Sequence, residues 1–123
     1  MSWIAVAIGA AFGAWLRWAL TVFLGHFHSH IQLGTLVANL AGGYLIGLAL
    51  GFFDALPTLA PAWRLFVITG FLGGLTTFSS FSGEAMVLMQ RGHYGWALGH
   101  VTLHLLGSIG FCVAGYATWR AIA

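Results

Sequence analysis

Hydrophobic and polar positions divide the chain into four long apolar stretches joined by short polar ones. The apolar stretches cover residues 3–24, 33–53, 65–90 and 94–119. Each is long enough for an α-helix to cross a bilayer, which takes about 20 residues. The connections read GHFHSHIQ, DALPTLAPAWR and RGH. The pattern predicts an all-α membrane protein: one domain over residues 1–123, with four transmembrane helices and both termini on one side.

Charged residues are too scarce to cover a water-soluble domain of this size. Hydrophobic residues make up 60% of the chain and charged residues 5%, whereas a soluble surface carries about a quarter to a third charged residues. The net charge of +2 comes from so few groups that no basic cluster is available for nucleic acid. The first apolar stretch lacks a basic leader region, so we expect it to be retained.

The four arginines give no preferred orientation in the membrane. Arg64 and Arg120 fall on the side of the termini, and Arg17 and Arg91 fall on the other. Because a charge bias normally fixes orientation, an even split predicts that the chain inserts both ways. The natural assembly is then an antiparallel homodimer with its two-fold axis in the membrane plane. Small residues four apart in the first, second and fourth spans favour close helix packing.

One stretch of the third span, GFLGGLTTFSSFSGE at residues 70–84, departs from a regular apolar helix. Its glycines and paired threonines weaken the helix and offer the backbone other partners, so we predict a break at residues 73–77. The freed carbonyls cannot face lipid. Two interpretations stay open: neighbouring helices satisfy them, or two antiparallel copies bring them together as an oxygen cage for a monovalent cation.

Two phenylalanines follow the predicted break. Phe78 and Phe81 are three apart on one helical face, with Ser79, Ser80 and Ser82 beside them. Such a pair usually just packs, but an aromatic ring has an electropositive edge that attracts anions. With hydroxyl donors nearby, the combination suits a small anion that must lose water and still leave quickly.

The histidines offer a second candidate chemistry. His26, His28 and His30 alternate in the first loop, and His100 and His104 lie four apart in the fourth span. Both spacings are able to bind a transition metal, but no Cys or carboxylate stands at a helpful offset in the fourth span. We interpret the loop histidines as a polar interfacial loop and the other two as polar packing, and leave open whether His100 and His104 face a pore.

Three motifs resemble the Fluc (CrcB) family of fluoride channels, and the resemblance covers essentially the whole chain. They are GAAFGAWLRW, GTLVANLAGGYLIG and GFLGGLTTFSSFSGE, in the family's order. Ser80 stands where the family usually has Thr, which keeps the hydroxyl. The resemblance implies a dual-topology antiparallel homodimer in the bacterial inner membrane, with a broken third helix and two fluoride pathways along the interface.

The resemblance also implies roles for single residues. Gly73 and Thr76 are expected to hold a central structural Na⁺ through backbone carbonyls of both subunits. Asn39 is expected to donate from its amide, with Ser108 as its neighbour, and the motif leaves the role of Glu84 open. The full expected fluoride pathway consists of Arg17 and Thr35 near the vestibules, Asn39, Phe78, Ser79, Ser80, Phe81, Glu84 and Ser108.

These features favour a passive fluoride-selective channel that lets cytoplasmic fluoride leave the cell and so confers fluoride resistance. No enzyme is expected, because the only carboxylates are Asp54 and Glu84 and no nucleophile–base pair is evident. One alternative is a small multidrug-type proton-coupled exporter, but its mechanism needs a carboxylate in the first helix, where this chain has Arg17. Another is an accessory bundle that stabilises a larger complex, which would show no flux.

Overall fold

The computed structural model describes residues 1–25 and 30–123, and these residues form helices and no strand. Four stretches are long and apolar enough to cross a membrane, the third running from Pro61 to Gln90. The predicted four-span fold is therefore confirmed, with helix ends a few residues beyond the predicted ones. The elements are α1 (Ser2–Leu24), α2 (Leu33–Ala55), α3 (Pro61–Arg64), a π-helical segment (Leu65–Leu72), α4 (Gly73–Leu75), α5 (Phe78–Gln90) and α6 (Tyr94–Ile122).

The third span is broken at Thr76 and Thr77, inside the predicted region. Thr76 has φ −83° and ψ 153°, and Thr77 has φ −149° and ψ 117°, so both are extended. Helix α5 restarts with Thr77 as its N-cap, whose hydroxyl accepts a hydrogen bond from the Ser80 N–H at 3.1 Å. The break is shorter than the predicted 73–77, because Gly73 to Leu75 stay helical.

Glycines set the distance between neighbouring helices. Where α2 crosses α6, a Cβ on Gly43 would lie 2.7 Å from the Ser108 carbonyl, and a Cβ on Gly47 would overlap the Cys112 carbonyl. Gly13 of α1 lies in the same way against the backbone of the third span. The small-residue stripes therefore bring backbones together as predicted, and they hold α2 and α6 around the break.

The outer surface is apolar and the polar residues collect inside. Trp18 is 68% exposed, Leu98 70% and Val113 64%, which fits lipid as the surrounding solvent. His100 and His104, by contrast, are 0% and 4% exposed. The interior near the break is thus the place where polar chemistry is concentrated.

Candidate functional site

One side chain of α2 holds the break in the third span. The Asn39 Oδ1 atom accepts from the Thr77 N–H at 2.7 Å, and Asn39 Nδ2 donates to the Thr77 carbonyl at 3.1 Å. The same Nδ2 group donates to Nδ1 of His104 on α6 at 3.0 Å. Asn39 therefore joins α2, the break and α6, and replaces partners that Thr77 loses by leaving the helix. Donation to a passing anion, its expected role, would require one of these hydrogen bonds to open.

The carbonyls around the break differ in their partners. The Gly74 carbonyl accepts from Arg17 Nε at 3.2 Å. The Leu72 carbonyl accepts from the Thr76 N–H at 3.0 Å and from the Thr76 hydroxyl at 2.8 Å. No hydrogen bond made by residues 1–25 or 30–123 ends on the carbonyls of Gly73 or Thr76. Those two oxygens are the expected Na⁺ ligands, and their free acceptor sites fit a hard cation.

A groove of about 400 Å³ opens beside the break, with walls from α2, the third span and α6. Aliphatic side chains such as Ile46 and Leu105 form much of its surface. A few polar groups in apolar surroundings are typical of sites that select a small ligand. The predicted site residues that the groove brings together are Asn39, Gly73, Thr76, Phe78, Phe81 and Ser108.

The two phenyl rings at the groove differ in how firmly they are held. Their centroids are 5.4 Å apart and their planes are tilted by 55°. Phe81 packs on the imidazoles of His100 and His104, with centroid distances of 5.0 Å to each. Phe78 is 76% exposed. The Phe81 ring edge therefore has a defined direction, whereas the Phe78 ring has few neighbours in this chain.

Ser80 and Glu84 line a second cavity of about 420 Å³ and not the groove. Arg91 and His93, at the end of α5 and the turn after it, also contribute to this cavity. Ser80 and Glu84 are four apart on α5, and that face of the helix is turned away from the one carrying Phe78. Within one chain, the residues expected to line a fluoride pathway therefore lie in two places, a groove with phenyl rings and a cavity with a carboxylate.

Three further predicted residues line neither cavity. Thr35, 4% exposed, donates its hydroxyl to Oε2 of Glu84 at 2.7 Å and so orients that carboxylate. The Ser79 hydroxyl lies 3.3 Å from the Thr77 hydroxyl on an exposed side. Arg17 lies at the break and contacts a carbonyl there, as described above.

Glu84, His100 and His104 form a polar cluster that adjoins both cavities. His104 lines the groove, Glu84 lines the second cavity, and His100 is fully buried. One nitrogen or carboxylate oxygen from each residue lies within 4.8 Å of the others. Sequence reasoning missed this cluster because it looked for a carboxylate in the fourth span, and the carboxylate comes from α5. The available signal was that Glu84 follows Phe81 by three residues, which makes the two side chains neighbours on the helix surface.

The loop histidines are described only in part. His26 and His28 lie outside the described residues. His30 stacks on Trp96 with a centroid distance of 4.7 Å, and meets His93 edge to face at 4.9 Å. His30 is therefore part of an aromatic cluster beside the second cavity.

Comparison with known proteins places this architecture in a family. The model of the family described as "CrcB-like protein, Camphor Resistance (CrcB)" matches residues 4–116. A protein of Cupriavidus pinatubonensis named fluoride-specific ion channel FluC is 57% identical over 123 residues, covering 100% of this chain and 98% of the relative. Relatives of the same name from Pseudomonas syringae pv. maculicola and Ralstonia pickettii are each 51% identical, covering 98% and 100% of this chain and 95% and 98% of their own lengths. On the strength of these matches along nearly its whole length, the chain belongs to the CrcB family.

Proposed function

We propose that this protein is a fluoride-selective channel that lets cytoplasmic fluoride leave a bacterial cell by passive permeation through the inner membrane. The observation that carries the proposal is the groove beside the break, where Phe78 and Phe81 meet amide and hydroxyl groups inside an apolar span. The name fluoride-specific ion channel, carried by relatives more than half identical to this chain, supports it. That name describes a channel and not an enzyme.

The phenyl rings suit an anion that binds water strongly. A channel must replace the hydration of its ion without holding the ion so firmly that it cannot leave. A ring edge carries partial positive charge and attracts an anion more weakly than a full charge does. Phe81, fixed on two imidazoles, presents such an edge in one direction.

A second, oppositely oriented copy of the chain would complete the pathway. Phe78 lies at the groove and is 76% exposed in the middle of the third span, where this chain offers it few contacts. A partner would cover this ring and close the groove, giving two equivalent pathways in an antiparallel homodimer. The even distribution of the four arginines supports insertion in both orientations.

The same dimer would place a structural Na⁺ on its two-fold axis. The carbonyls of Gly73 and Thr76 receive no hydrogen bond from the described residues. Two copies would supply four such oxygens, and freed backbone carbonyls at a broken helix are known ligands for Na⁺. The ion would contribute a fixed positive charge that holds the two breaks together.

Flux from proteoliposomes tests the function. Vesicles loaded with fluoride should release it quickly, as read with a fluoride electrode, and should retain chloride. Equal release of chloride would refute the selectivity. Release that depends on a pH gradient would indicate the proton-coupled exporter, and no release of either ion would indicate an accessory role.

Phe81→Ile tests the ring. An aliphatic side chain fills similar space but has no electropositive edge, so fluoride flux should fall at least about tenfold, the equivalent of about 1.4 kcal/mol. The matched control is Phe23→Ile on α1, where the ring is 75% exposed and flux should stay unchanged. If Phe81→Ile remains dimeric and conducts like the control, ring edges play no part in conduction.

A further inference from the structure

The break fixes the position of the proton on His104. The amide of Asn39 cannot turn over, because the Thr77 N–H needs its oxygen and the Thr77 carbonyl needs its nitrogen. Asn39 Nδ2 therefore faces Nδ1 of His104, at 3.0 Å. An amide nitrogen only donates, so Nδ1 must accept. His104 is consequently a neutral imidazole that carries its hydrogen on Nε2.

The neighbouring His100 and Glu84 each offer a hydrogen-bond acceptor, whereas Nε2 of His104 is a donor. His100 Nε2 lies 3.0 Å from the Phe81 carbonyl, which only accepts, so that nitrogen donates. The other ring nitrogen of His100, Nδ1, is then an acceptor in the neutral imidazole. Oε2 of Glu84 receives the Thr35 hydroxyl, and Oε1 is left as a second acceptor.

Three buried polar atoms of the cluster lack a hydrogen-bond partner among the described residues: His104 Nε2, His100 Nδ1 and Glu84 Oε1. One of them donates and two accept. A metal cation would suit the acceptors but would meet the N–H hydrogen of His104, and an anion would suit the N–H but would meet two acceptors. A water molecule can accept one hydrogen bond while it donates two, so its donors and acceptors match those that the three atoms lack.

We propose that Glu84, His100 and His104 bind one water molecule, and that the tautomer imposed by Asn39 makes the cluster reject transition metals. The three residues are close enough to share one ligand, because one nitrogen or carboxylate oxygen of each lies within 4.8 Å of the others. Partners of one water lie about 4.6 Å apart, since each hydrogen bond is about 2.8 Å long. Glu84 Oε1 lies 3.9 Å from His100 Nε2, beyond hydrogen-bond distance.

The bound water links the two cavities. His104 lines the groove and Glu84 lines the second cavity, so the water forms an uncharged hydrogen-bonded bridge between them. The orientation of this water is set by the N–H of His104, because Thr77 fixes the amide of Asn39 and Asn39 fixes the tautomer of His104. This inference goes beyond the proposed function, because it holds whichever ion the protein conducts.

Solid-state ¹⁵N NMR of labelled protein in lipid tests the tautomer directly. We expect an unprotonated Nδ1 and a protonated Nε2 on His104, and magnetisation transfer between the Nε2 hydrogen and water. The opposite tautomer, a doubly protonated ring, or a Nε2 hydrogen without a water contact would overturn the proposal. The measurement needs no flux, so its failure is distinct from failure of the channel function.

Asn39→Asp provides a second test. A carboxylate only accepts, so it should move the His104 hydrogen to Nδ1 and leave Nε2 as a third acceptor, converting the cluster into a metal site. Co²⁺ should then bind with the visible absorption of a tetrahedral centre, and the added substitution His104→Phe should abolish this absorption. Such absorption in the unsubstituted protein, or its absence from a folded Asn39→Asp variant, contradicts the proposal. If the variant does not fold, the NMR result decides.

Discussion

Replacing Asn39 by alanine tests whether a single side chain holds the break in the third span. The substitution removes three hydrogen bonds together: two with the backbone of Thr77 and one with His104. It leaves the N–H and the carbonyl of Thr77 without partners at a depth where lipid offers none. The variant should therefore lose stability at the break and not throughout the bundle.

Two estimates bound the loss in the free energy of unfolding. Side-chain hydrogen bonds between membrane helices contribute about 0.6 kcal/mol each, so three give about 2 kcal/mol. An unpaired buried polar group costs about 1–3 kcal/mol, so the two stranded groups of Thr77 alone raise the upper bound to about 6 kcal/mol. Asn39 is only half-buried and lines the groove, which lets water reach these groups. We therefore expect a loss in the unfolding free energy near the lower bound, about 2–3 kcal/mol.

The assay compares Asn39→Ala with Tyr44→Phe by denaturant titration in detergent micelles. Tyr44→Phe also removes a hydrogen bond between α2 and α6, from the Tyr44 hydroxyl to Thr118 at 3.0 Å, but it leaves the break intact. The control should lose about 0.6 kcal/mol. Hydrogen exchange at the Thr77 amide should accelerate only in Asn39→Ala. The reasoning is refuted if both variants lose the same free energy and the Thr77 amide exchanges equally slowly in both.

Two further pairs of variants use the same titration. Gly47→Ala should cost about 1–3 kcal/mol, because the new methyl group would overlap the Cys112 carbonyl. Gly99→Ala should be neutral or stabilising by up to about 1 kcal/mol, because its new methyl group would meet no other part of the described chain within 4 Å. Equal effects would contradict glycine-set helix spacing. Thr35→Val should cost about 1–2 kcal/mol, because it removes the 2.7 Å hydrogen bond to the carboxylate of α5. Thr102→Val, which removes an exposed hydroxyl that donates to the Leu98 carbonyl of its own helix, should change stability by less than about 0.5 kcal/mol. A similar loss in both threonine variants would show that the carboxylate contact adds nothing.

The spans and the break were predictable because they depend on local composition. Long apolar runs give the helices, and the weak helix formers next to Thr76 and Thr77 indicate where the third one fails. The partners of the break were not predictable in the same way. The Asn39–Thr77 contact joins residues 38 apart and the Asn39–His104 contact joins residues 65 apart, so both depend on how three helices pack.

Two other features illustrate what the sequence pattern leaves out. The π-helical segment Leu65–Leu72 has no local signal, since its residues are as apolar as those of an ordinary span. The separation of Ser80 and Glu84 from Phe78, by contrast, follows from helical periodicity once α5 is known to start at Phe78. Helical periodicity therefore turns residues of one motif toward two different cavities of the chain.

Some carbonyls at the break accept hydrogen bonds from this chain, and others are left for an external ligand. Side chains of α1 and α2 satisfy the carbonyls of Gly74 and Thr77, so one subunit can support most of its interrupted helix alone. The carbonyls of Gly73 and Thr76 receive no such hydrogen bond from the described residues, and lipid cannot supply one. A cation shared with a second copy would remove this deficit at the point where the proposed dimer forms. The same interruption that opens the groove for an ion would therefore also be the reason for the chain to pair.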